Sequence, residues 1–118
     1  FVDVQRPPGD TSEPREIARR YADRFVNQQW PANHPYPAVY YLPASLDQTE
    51  RKRTSMHAKC VVVDGTASFI SSANFTEAAQ ERNVEIGILI RSNLIATRIV
   101  RHFDALVNDG FMEPLPIH

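Results

Sequence analysis

Asp64-Gly65 separates the apolar run Val61-Val62-Val63 from a second run ending at Ser71. Asp-Gly between two such runs is the strongest short-range signal for a two-residue hairpin, because both turn positions take positive φ. The chain is therefore expected to fold around a hairpin, with strands over 56–63 and 66–71. The hairpin's open end is unusually polar. It carries His57 and Lys59 on one strand and Ser71, Ser72 and Asn74 after the other. An ordinary core strand has no need of a histidine and a lysine two residues apart.

The remaining elements follow from periodicity. Residues 1–5 alternate apolar and polar and read as a short strand, broken by Pro7-Pro8-Gly9. Ser12 is expected to cap a helix over 15–29, whose buried stripe is Ile17, Ala18, Tyr21, Ala22, Phe25 and Val26. Residues 38–42 read as a strand and 44–55 as a mobile polar loop. A short helical turn is expected over 75–80. Residues 84–90 are apolar enough to suit a central strand. Ser92 should cap a last helix with the stripe Leu94, Ile95, Ile99, Val100, Phe103, Leu106 and Val107, and Gly110 should end it. The order β-α-β-β-β-β-α predicts an α/β fold, a mixed β-sheet flanked by helices, in one domain over 1–118.

Composition limits the functional classes. A net charge of -1 over 118 residues means that any nucleic-acid footprint must be local. No apolar run approaches the ~18 residues of a membrane span. Cys60 is the only cysteine, so no internal disulfide forms, and its apolar neighbours mark it as a small core residue. The chain starts at Phe1 in a strand-like segment. It is therefore read as part of a longer or processed protein.

Residues two apart on a strand share a face, so His57 and Lys59 should project together, and Val61 and Val63 should carry that face into the core. Ser72 and Asn74 should return to the same end of the sheet. Glu85, at the start of the next apolar run, is expected beside them.

The pattern is His57-x-Lys59, four residues, Asp64, then six residues to Ser71-Ser72-Ala73-Asn74. It resembles the signature of the phospholipase D superfamily, H-x-K, four residues, D, six residues, G-S-x-N. Chance agreement at these positions has odds on the order of one in a million from residue frequencies. The likeness runs on to about Ile90, and places the family's acidic partner at Glu85. One position departs: Ser71 stands where the family has Gly. The stretch 72–90 is also similar to the phospholipase-D-like components of bacterial antiviral defence systems such as DISARM. That likeness implies a cytoplasmic protein handling DNA.

The resemblance implies a phospholipase D-like fold of which this chain is the C-terminal portion, with a first β-α part upstream of Phe1. It also implies a metal-independent phosphodiesterase without cofactor. The implied catalytic set is His57, Lys59, Asp64, Ser72, Asn74 and Glu85. A neutral imidazole attacks phosphorus and forms a phosphohistidine, dividing one displacement into two. Lys59 and Asn74 meet the charge growing on the non-bridging oxygens. Glu85 is expected to fix the His57 tautomer. A second histidine must protonate the leaving oxygen. His34, His102 and His118 lack a lysine two residues on. The implied partner is therefore a second copy, a homodimer with paired motifs, or a second motif-bearing half.

Asp64 has a simpler reading, since turn chemistry accounts for it. Arg51, Lys52 and Arg53 lie just before His57 and, with Arg82, are candidates for tracking a phosphate backbone. Trp30 and Tyr40 read as core residues rather than base-stacking groups. Nucleic acid is the expected substrate. The rival readings are a phospholipase or phosphatidyl transferase, which should show an exposed apolar rim, and a silent DNA-binding module.

Overall fold

The computed structural model describes residues 1–48, 54–76 and 81–117. Its elements in chain order are α1 (Pro14–Arg24), β1 (Tyr40–Tyr41), β2 (Cys60–Val63), β3 (Ala67–Ser71), β4 (Gly87–Arg91), α2 (Asn93–Asn108) and β5 (Glu113–Pro114). They divide into two compact units, Phe1–Met56 with Leu106–His118, and His57–Ala105. Among the described residues no helix is long and apolar enough to cross a membrane.

The first unit is held by a small apolar core of Val4, Ile17, Ala18, Ala22, Val39, Tyr41, Leu46 and Leu115. α1 presents Ile17, Ala18 and Ala22 to it, as the 3.6-residue spacing requires, and Tyr21 and Phe25 pack at its margin. A wider turn over Phe25–Gln29 ends the helix, and Trp30 stacks on Phe25. β1 pairs antiparallel with β5, Tyr40 opposite Pro114. The expected strand over 1–5 reduces to one parallel bridge, Val2 to Tyr41.

Ser12 is not the cap of α1. Its N–H donates to Asp10 Oδ1 and its carbonyl accepts from Arg6 Nη1, so Ser12 belongs to the turn before the helix. Glu13 takes the N-cap position without a side-chain bond, and Pro14 at N1 removes one of the donors a cap would serve. The Asp10 carboxyl is lowered to about 2, first by hydrogen bonding from Ser12 and then by Arg20. The expected loop over 44–55 also begins with structure. Pro43–Leu46 forms a 3-10 turn that buries Ser45 and Leu46, with Ser45 Oγ donating to Val4 O at 2.6 Å.

The second unit is built on the antiparallel sheet β2-β3-β4. Asp64 and Gly65 have φ of 52° and 64°, and Thr66 N–H donates to Val63 O, so the hairpin turn forms as expected. The register pairs Val61 with Phe69 and Phe69 with Leu89, and on the other face Val62 with Ser68 and Ser68 with Ile90. Three expectations change here. The strand expected over 56–63 begins only at Cys60, so His57 and Lys59 lie before it. β3, not the more apolar β4, is central among the described strands, because the hairpin on one side and β4 on the other both pair with it. Val61 and Val63 do not enter a core. They are 42% and 52% exposed, and the covered face carries Val62, Ser68 and Ile90 instead.

Ser92 caps α2 through Oγ, which accepts from Ile95 N–H. α2 buries Ala96 and leaves Leu94 exposed and Ile95 and Val100 only partly covered, a narrower inner stripe than expected. Gly110, at φ 77°, ends it. The Gly110 N–H donates to Val107 O and the Phe111 N–H to Leu106 O, the paired bonds of a Schellman closure. Of the helical turn expected over 75–80, residues 77–80 lie outside the described residues.

Candidate active site

The β2–β3 ladder runs one step past its last strand pair. Ser71 N–H donates to Lys59 O at 3.0 Å. Residues opposite one another on an antiparallel pair share a face, so Lys59 and Ser71 stand side by side. Ser71 is in turn opposite Gly87 on β4. The polar end of the sheet is therefore a row, Lys59, Ser71 and Gly87, next to the row Val61, Phe69 and Leu89. Gly87 is needed there. A Cβ at 87 would sit 2.7 Å from Phe69 Cζ, so the bare backbone lets the Phe69 ring lie across β4.

Lys59 is half-buried and His57 exposed. The Lys59 ammonium donates to His57 O at 2.9 Å, which fixes it beside the residue two positions earlier. An ammonium has three protons, so two remain for a ligand. A phosphate oxygen meeting Lys59 would lie close to the His57 backbone.

Ser72 and Glu85 do come together, though not in the expected roles. Ser72 Oγ donates to Glu85 Oε2 at 2.5 Å and accepts from Ile86 N–H at 3.1 Å, while Ser72 N–H donates to Ile86 O at 3.0 Å. The hydroxyl's only proton is thus committed to the carboxylate. Ser72 cannot donate to a phosphate oxygen while Glu85 is ionised. Glu85, expected to orient His57, has Ser72 as its hydrogen-bond partner among the described residues. The pair works as a clasp between the end of β3 and the approach to β4.

Ser71 closes the turn that follows. Its Oγ accepts from Ala73 N–H at 3.0 Å and reaches Ile86 O at 3.4 Å. Asn74 O accepts from Thr76 N–H at 2.8 Å, and Asn74 itself is exposed. Sequence reasoning treated Ser71 only as a departure and missed Ile86, whose backbone anchors both serines. The readiness of serine to bond a backbone N–H two residues on was the available signal.

Asp64 stands in the hairpin turn, at the far end of β2 from Lys59, roughly 16 Å along an extended strand. Its place is explained by the turn and lies apart from the Lys59 row. Arg82 is exposed, and Arg51, Lys52 and Arg53 lie outside the described residues. Among the described residues, no group of three or more His, Cys, Asp or Glu is placed to hold a metal ion.

What this arrangement offers is an exposed imidazole, an ammonium with spare protons, an exposed amide, and a carboxylate clasped by a serine. Those are residue types that nucleophilic displacement at a phosphodiester can use. A family model described as "Cardiolipin synthase, PLD-like domain" matches residues 13–107. Comparison with curated proteins and with solved structures returns no match. The family match takes in α1, the hairpin with its polar end, β4 and most of α2, and the chain belongs to the phospholipase D superfamily as a PLD-like domain.

Proposed function

We propose that this chain is a metal-independent phosphodiesterase that cleaves nucleic acid through a phosphohistidine at His57. The His57 nitrogen forms a bond to phosphorus as the bond to the leaving oxygen breaks, and an acid delivers a proton to that oxygen. Water then attacks phosphorus and releases His57. Lys59 and Asn74 hold the non-bridging oxygens, and the acid comes from a second motif, in a homodimer or another motif-bearing half. The observation that supports this most is the hydrogen-bonded run Lys59, Ser71, Ser72, Ile86, which joins the His57 segment to Glu85 inside one unit. Nucleic acid is favoured by the basic run Arg51 to Arg53 just before His57 and by the exposed Arg82. The setting that goes with this reading is bacterial antiviral defence in the cytoplasm.

A phosphatidyl substrate is the second reading. Phe75, Val84 and Ile86 are 61%, 103% and 77% exposed and flank Asn74 and Glu85 in sequence, the apolar rim a lipid enzyme would want. The family's printed description, with cardiolipin synthase in it, points the same way.

The test is incubation with plasmid DNA, with a chromogenic phosphodiester and with phosphatidylglycerol vesicles, all in excess EDTA. The expected result is cleavage of DNA and of the chromogenic ester, abolished by His57→Ala. Equal rates for wild type and His57→Ala would reject the enzyme. Turnover confined to vesicles would select the lipid reading.

A further inference from the structure

Ser71 has an ordinary backbone, since the positive-φ non-glycine residues described are Asn33 and Asp64. Nothing in its conformation calls for glycine. Its hydroxyl, by contrast, is engaged as both acceptor and donor. It accepts from Ala73 N–H at 3.0 Å and donates toward Ile86 O at 3.4 Å, an oxygen already held by Ser72 N–H. A hydroxyl has one proton and two lone pairs, so one side chain links the turn carrying Asn74 to the backbone carrying Glu85. Meanwhile the Ser71 N–H is bonded to Lys59 O. Residue 71 therefore touches all three strands of chain that supply the site: the Lys59 segment, the turn, and the start of β4.

We propose that Ser71 is a positioning residue: its hydroxyl sets the turn that aims Asn74 and holds the Ser72–Glu85 clasp in register with Lys59. This rests on reading the site as a phosphodiesterase. The Ala73 bond is the shorter of the two and carries most of the effect. It spans the residues between the clasp and Asn74, and without it that peptide N–H turns to water and the loop gains freedom. Small displacements matter at such a site, because a shift of about 1 Å in a reacting group costs up to ~100-fold in rate. The loss falls on the chemical step rather than on binding, since Lys59 still meets the substrate anion.

The experiment compares Ser71→Ala, Ser71→Gly and Ser71→Thr on the chromogenic phosphodiester in EDTA, with His57→Ala as the control for the reaction itself. Hydrogen exchange at the Ala73 amide is followed in each. Alanine and glycine are expected to lower kcat about tenfold with KM within about twofold, and to speed exchange at Ala73 about tenfold. Threonine, which keeps the hydroxyl, is expected to restore at least half of the wild-type kcat and the slow exchange. Wild-type kcat and exchange in Ser71→Ala would overturn the proposal, as would a threonine variant as impaired as alanine. If His57→Ala matches wild type, the phosphodiesterase reading fails on its own, and the Ala73 exchange series alone then decides whether the Ser71 hydroxyl holds the turn.

Discussion

Ser68 is 1% exposed at the centre of the three-stranded sheet, and its hydroxyl has no hydrogen-bond partner among the described residues. It sits between Val62 and Ile90 on the covered face, where a methyl group would fit and an unpaired hydroxyl is penalised. Leaving a buried polar group unpaired costs roughly 1–3 kcal/mol. Ser68→Ala is therefore expected to stabilise the fold by about 1 kcal/mol, read as a higher urea midpoint at unchanged slope. A lower midpoint would mean that the hydroxyl has a partner. Single residues also mark how far the sequence could be read. The two-residue spacing was expected to set His57 and Lys59 on one strand, but β2 begins at Cys60, and what joins the two is the Lys59 ammonium on the His57 carbonyl. The Ser72–Glu85 bond was not readable, because it depends on the register of β3 against β4. Local spacing showed that these groups approach each other, but which of them share a proton is set by partners thirteen residues away.

Among the elements, the hairpin turn was legible, though not the length of its first strand, and the helix start was not. Asp64-Gly65 is the whole cause of its own turn, whereas the start of α1 is decided by competition for Ser12. That residue is drawn into the Asp10 turn and contacted by Arg6, both more distant than a cap. β5 went unseen because two residues, Glu113 and Pro114, carry no periodicity; only β1 across the pair makes them a strand. The central position given to β4 failed because apolar content reports burial, and Ile88 and Leu89 are 61% and 60% exposed. The hairpin can be tested as an element. Gly65 has φ 64°, and a Cβ there meets nothing within 4 Å. Gly65→Ala thus carries a pure backbone penalty, about 1 kcal/mol for a left-handed residue with a Cβ. Asp64→Asn should stay within about 0.5 kcal/mol of wild type, since asparagine accepts that conformation. Denaturant unfolding of both variants checks this, and equal stability of Gly65→Ala and wild type would mean that the turn relaxes to another type.

At the scale of the whole molecule, the proposed mechanism needs two imidazoles at one phosphorus. In a displacement the leaving oxygen departs opposite the attacking nitrogen, so a single ring cannot both attack and protonate. The described site offers one exposed histidine, His57, beside one lysine. If the proposed homodimer builds one site from two chains, a site is intact only when both chains carry His57. Mixing wild type with His57→Ala and allowing exchange then makes activity follow the square of the wild-type fraction. An equal mixture should keep about one quarter of the activity of the same total amount of wild type. Chains that act singly, or that carry a complete site each, would keep about one half. The same titration with Ser68→Ala in place of His57→Ala should stay flat, since that change touches the covered face and not the Lys59 row. A linear fall with His57→Ala would remove the shared site from the mechanism and require the second acid to come from the same chain or from a different partner.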